Sequence, residues 1–137
     1  MTRREEREQA FVLIFEKMFT EDTLQEIIDK ASEARDIEVG EYALKAATKV
    51  IENSEEIDSQ FENYLKRWNK NRISKVSLAI LRLAIYELVN EKEIPDAAVI
   101  NEAVDLTKKF STKEDSAFVN GVLGSFVRDR ANDNAGN

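Results

Sequence analysis

Apolar positions crowd most densely between Ser74 and Asn90, in SKVSLAILRLAIYELVN. They fall at Val76, Leu78, Ala79, Ile80, Leu81, Leu83, Ala84, Ile85, Leu88 and Val89. That is too many for one helical stripe, and the strict alternation of a half-buried strand is missing. A helix apolar nearly all round belongs at the centre of a domain. Past Ser77 only Arg82, Tyr86 and Glu87 interrupt it, and Ser74 is a natural N-cap. The other segments read as amphipathic helices laid around this one.

The first of them opens on Thr2 and Glu5, which have capping-box spacing. Its stripe is Ala10, Phe11, Ile14, Phe15 and Met18, within about 140° of arc. Arg3, Arg4 and Arg7 extend the same side, and Glu5, Glu6 and Glu8 fall opposite. Such a segregated arginine row suits a groove that takes phosphates. An exposed helix start laced by short-range Glu–Arg pairs explains the spacing equally well. Asp22 is the expected cap of a second helix, with Leu24, Ile27, Ile28 and Ala31 inward, and a third near Gly40 buries Tyr42, Ala43, Ala46 and Val50. Asn53 and Glu56 have capping-box spacing for a fourth, with Ile57, Phe61, Tyr64, Leu65 and Trp68 inward. After the central helix, Ile94-Pro95-Asp96 starts another, with Val99, Ala103, Leu106 and Phe110 inward. Asn101 and Glu102 within it read as a buried polar link between helices. The last stripe is Phe118, Val119, Val122, Leu123 and Phe126; Gly121 and Gly124 inside it point to close approach of a neighbouring helix. Residues 128–137 carry no stripe and are expected to be disordered, leaving residues 1–127 as one domain.

Composition narrows the chemistry. The 137 residues include one Pro and four Gly, which agrees with an all-α chain, and neither Cys nor His. Thiolate and histidine metal sites and Ser-His or Cys-His nucleophiles are thereby excluded, and no Gly-rich phosphate loop is present. No catalytic residue, metal ligand or cofactor site is assigned. The net charge is −7, yet residues 66–75, KRWNKNRISK, carry five cations and no acid. Lys75 near the start of the central helix opposes the helix dipole, so the window reads as a phosphate-facing patch that includes Arg72. Trp68 is a stacking surface or, more in keeping with its stripe, part of the core. No apolar run is long enough to span a membrane. Two classes survive: a helical RNA-binding factor and a helical scaffold that binds only proteins.

The second half carries specific motifs. WNKNRIS (68–74), AILRLAIYEL (79–88), IPDAAVINEAVDLTKKFS (94–111) and FVNGVL (118–123), with Arg3-Arg4 and Arg7-Glu8 ahead of them, resemble the NusB transcription antitermination family. The resemblance implies about seven helices in two small bundles packed together. It implies binding to boxA RNA of ribosomal RNA leaders together with NusE, a small-subunit ribosomal protein. Through that complex it reaches other Nus factors and RNA polymerase and suppresses premature termination. Mapped onto this sequence, RNA contacts fall to Arg3, Arg4 and Arg7, with Phe15 and Phe118 near the RNA surface, and NusE contacts to Ser77, Leu78 and Arg82. Glu5 and Glu6 make this N-terminus less basic than that of many relatives, Ser77 stands where an acid is frequent, and Phe15 where Tyr is common. The same module precedes ribosomal RNA cytosine methyltransferases, but here Asn137 ends the sequence, so a stand-alone cytoplasmic factor is expected, as monomer or homodimer.

Overall fold

The computed structural model describes residues 1–35, 38–65 and 73–135. Among them it contains seven α-helices and no strand: α1 (Arg3–Lys17), α2 (Leu24–Arg35), α3 (Glu41–Glu52), α4 (Ser54–Leu65), α5 (Lys75–Asn90), α6 (Asp96–Phe110) and α7 (Lys113–Ala135). They form two compact units, Met1–Ser54 and Glu55–Asn137, which correspond to the two small bundles implied by the resemblance. Each unit has its own centre, where the sequence pattern pointed to α5 alone.

In the first unit α1 packs against α2 and α3. Ala10, Phe11, Leu13 and Ile14 of α1 are buried, as are Ala43, Ala46, Ala47 and Val50 of α3. The alanines let the two helix axes come close. Thr2 caps α1 as expected, accepting from the Glu5 N–H at 3.1 Å. The cap of α2 is Thr23 rather than Asp22. Thr23 Oγ1 accepts from the Glu26 N–H at 3.1 Å, and Glu26 Oε1 accepts from the Thr23 N–H at 3.2 Å. Asp22 instead pairs with Lys30 Nζ at 2.7 Å, and that ammonium holds its carboxyl below the usual range. Asn53 closes α3, donating to the Lys49 carbonyl at 2.8 Å, instead of opening α4.

Helix α3 starts at Gly40, which has no side chain with which to cap it. Glu6, expected on the outer face of α1, performs that task from a distance. Its Oε1 accepts from the N–H groups of Tyr42 (2.9 Å) and Ala43 (3.4 Å), placing a carboxylate at the positive end of α3. Gln9 closes the same junction, accepting from the Gly40 N–H and donating to the Glu38 carbonyl, both at 3.0 Å. A Cβ on Gly40 would strike the Glu6 carboxylate and lie 2.8 Å from its Cγ. Gly40→Ala is therefore expected to displace the cap and lower stability by about 1 kcal/mol. Thermal melts should show a fall of a few degrees, with Glu6→Ala adding little on top because both variants break the same contact.

In the second unit α5 packs against α6 and α7, which also pack on each other. Ala79, Ile80, Leu81, Leu83, Ala84 and Ile85 are all buried, and Phe61 of α4, Val99 of α6 and Val119, Val122 and Leu123 of α7 complete the apolar core. Ser74 caps α5, accepting from the Ser77 N–H at 3.0 Å. Its hydroxyl donates to Asp115 Oδ2 at 3.0 Å, and Ser111 at the end of α6 donates to the same oxygen. One carboxylate thus ties the start of α5 to the turn between α6 and α7.

Three expectations for this unit need correction. Phe110 is 39% exposed, not inward, because it is the last residue of α6 and lies beyond the packed turns. Asn101 is exposed, so it forms no buried link. Finally, α7 is helical to Ala135 where residues 128–137 were expected to be disordered. Polar anchors hold the extension in place of an apolar stripe. Tyr64 Oη donates to Asp129 Oδ2 at 2.7 Å, and Arg130 donates to the Leu88 carbonyl at 3.2 Å with its guanidinium 5.5 Å from the Phe126 ring.

Candidate nucleic-acid interface

The arginine row of α1 divides into three environments. Arg3 is exposed, but its guanidinium lies 3.9 Å from the centroid of the Tyr42 ring on α3. Lys45 Nζ approaches the same ring at 5.8 Å, so two cations converge on one aromatic. Arg4 is exposed at the helix start. Arg7 is only 5% exposed. The helical period placed all three on one side, but the depth of each depends on how α1 packs within its unit, which the period of α1 cannot report.

Phe15 is half-buried in a ladder on α1. It meets Phe19 edge-to-face at 4.9 Å and Phe11 at 5.9 Å. Phe19 is 61% exposed and escaped the sequence reading because it lies just past the end of α1. The spacing of Phe11, Phe15 and Phe19 was the available signal, since four residues make nearly one turn. With Ile27 and Ala31 of α2, Phe15 and Phe19 line a shallow groove of about 370 Å³, rimmed by Glu16, Asp22 and Lys30. This is an apolar and aromatic ledge within the first unit.

In the second unit Phe118 is buried. Ser77 is fully buried at the first turn of α5, so a partner cannot touch it directly. Leu78, one residue on, is half-buried and lines a small groove of about 230 Å³ with Phe61, Leu65, Ile73 and Lys75. Arg82 grips Asp58 of α4 in a two-pronged ion pair, Nε to Oδ1 at 2.8 Å and Nη2 to Oδ2 at 2.7 Å. Side-chain exposures of 18% and 25% leave that pair partly screened from water. Arg82 therefore fastens α5 to α4 and offers a partner only its outer edge. Arg72 and Trp68 lie outside the described residues.

Among the described residues no cluster of acids, cysteines or histidines could hold a metal ion. No helix there is long and apolar enough to cross a membrane. The available chemistry is cationic and aromatic contact together with two apolar grooves.

Residues 4–128 match the family profile of NusB. The chain belongs to the NusB family. It is 44% identical over 130 residues to the transcription antitermination protein NusB of Acetivibrio thermocellus, covering 93% of this chain and 90% of that one. It also superposes on a protein chain in a crystal structure of a plectonemic RNA supercoil, with a TM-score of 0.81, 30% identity and coverage of 95% and 98%. A second structural relative comes from a crystal structure of antitermination factors NusB and NusE in complex with dsRNA. There the TM-score is 0.78 and the identity 29%, over 94% of this chain and 99% of the other. The NusB match takes in both units and ends at residue 128, so the last turns of α7, with Asp129 and Arg130, lie beyond it.

Proposed function

We propose that the chain is a non-enzymatic transcription antitermination factor of the cytoplasm. In this reading it binds boxA RNA of ribosomal RNA leaders together with NusE and thereby joins other Nus factors at RNA polymerase. The observation that carries this is the NusB family match across residues 4–128. The resemblance assigns RNA contact to the arginines of α1, and the chemistry of their surroundings supports it. Arg4, and Arg3 on its Tyr42 platform, are the exposed cations that meet phosphates. Arg7 underlies them, too buried for more than a glancing contact. Phe15, with Phe19 beside it, offers unstacked bases a ledge; Phe118 supports a second stretch of RNA surface, and Arg72 adds charge from the basic window. Leu78 and its groove take an apolar side chain of NusE. Ser77 acts by fixing the first turn of α5, and Arg82 by holding α4 in place beside that groove.

An acidic protein with a few exposed cations binds RNA weakly by itself. With three to five phosphate contacts, log affinity should fall with log salt at a slope of about −2 to −3.5. NusE supplies further contacts, so each ligand strengthens binding of the other. Fluorescence anisotropy with boxA RNA and a scrambled control, with and without NusE, tests the reading. The expected result is a preference for boxA that grows with NusE. Tight NusE binding with no RNA preference would establish the protein scaffold instead.

A further inference from the structure

Two glycines in the middle of α7 weaken that helix, and among the described residues the expected reason, a neighbouring helix pressed against them, is absent at Gly124. Among the described residues, a Cβ added there would meet Arg128 Nη1 alone, at an ordinary 3.6 Å. The space beside Gly121 and Gly124 is a cleft between α4 and α7 of about 800 Å³, within the roughly 300–1,000 Å³ typical of ligand sites. Among its described lining residues Val122 is the only aliphatic side chain.

The polar groups are arranged for use. Arg128 folds back one turn along α7, donates to Ser125 Oγ at 3.1 Å, and has no carboxylate partner among the described residues. Asn63 on α4 and Asn120 on α7 are exposed, and neither amide makes a side-chain hydrogen bond among the described residues. The one acid among the described lining residues, Asp129, is engaged by the Tyr64 hydroxyl at 2.7 Å. Burial first, and then Asp129, push the Tyr64 hydroxyl up to about 12, so it remains a neutral donor.

We propose that this cleft seats one unstacked nucleotide of the RNA bound by the chain. Asn63 and Asn120 meet the base edge, the glycine floor lets the sugar-phosphate approach the α7 backbone, and Arg128 meets a phosphate. Each amide pairs a donor with an acceptor, as a base edge does, and a guanidinium suits phosphate. A peptide segment would need apolar pockets, which the described lining, with Val122 its one aliphatic residue, does not provide. The inference rests on the RNA-binding reading above and extends it to a surface beyond the arginines of α1 and the aromatic ledge.

The test uses the full chain with NusE and a boxA RNA series shortened one nucleotide at a time from either end. Gly124→Leu fills the floor and favours the helix, so its melting temperature should equal or exceed the wild type. Its affinity for the longer RNAs should fall about tenfold and converge with the wild type once the seated nucleotide is removed. Asn120→Ala with Arg128→Gln should behave alike without adding bulk. Unchanged affinity of both variants across the series, with the wild type binding normally, overturns the cleft and leaves the proposed function standing. If the wild type binds no RNA, both fall. A loss confined to NusE affinity shows a protein segment in the cleft and likewise overturns the proposal.

Discussion

Leu81→Ala is expected to lower the unfolding free energy by about 2–5 kcal/mol, which for a chain of this length moves the melting temperature by about 6–20 °C. Leu81 is fully buried on α5, and its neighbours along the helix, Ile80, Leu83, Ala84 and Ile85, are buried as well. Helix α5 also packs against both α6 and α7. Collapse of the wall into the missing volume would require two helices to shift together, so the cavity remains and the cost lies above the transfer term alone. Circular dichroism melts and urea titrations of the variant provide the measurement. A loss below about 1 kcal/mol would mean that the second unit is organised around something other than α5.

That prediction was available from the sequence because burial on all sides leaves a local trace, a run with too few polar interruptions. The cap at Ser74 and the inward faces of α1, α3 and α4 were legible for the same reason. They repeat at helical spacing or stand at a helix end, and both are properties of a short window. What stayed hidden depends on residues distant in sequence. Glu6 reads as solvent-facing on the wheel of α1, yet its carboxylate caps α3, 36 positions away at Tyr42. Nothing in α1 announces that Gly40 lacks a cap. The interruptions of α5 follow the same logic. Arg82 read as an interruption of the apolar run facing a partner, whereas its partner within the chain, Asp58, is 24 positions back on α4.

The end of α7 shows the converse. Residues from Arg128 onward have no apolar stripe, so periodicity predicted a frayed tail, whereas Tyr64 and the Leu88 carbonyl supply polar anchors that a hydrophobic pattern does not register. At the candidate interface, residue types were legible and their availability was not. Arg3, Arg4 and Arg7 share a side, and only the packing of α1 against its neighbours separates an exposed cation, one stacked on a ring and one nearly out of reach of solvent.

This separation changes which substitution tests RNA binding cleanly. Arg7→Ala is a poor choice, because removing a buried arginine disturbs packing as well as charge. Arg4→Ala should leave the melting temperature within about 2 °C of the wild type, as for other exposed sites. Arg3→Ala should cost about 0.5–1 kcal/mol through loss of its stacking on Tyr42. On the proposed assignment, the double variant Arg3→Ala/Arg4→Ala removes two phosphate contacts. At roughly 0.7 in salt slope per contact, the slope should become shallower by about 1.4, and affinity for boxA RNA at 0.1 M salt should fall about 25-fold relative to the change at 1 M. Anisotropy titrations at several salt concentrations measure both quantities. Their combination is informative because destabilisation would lower affinity at every salt concentration without altering the slope. A weakened complex with an unchanged slope would therefore assign these arginines to the fold and move the phosphate contacts elsewhere, whereas a shallower slope with intact melting behaviour in Arg4→Ala places them on the RNA.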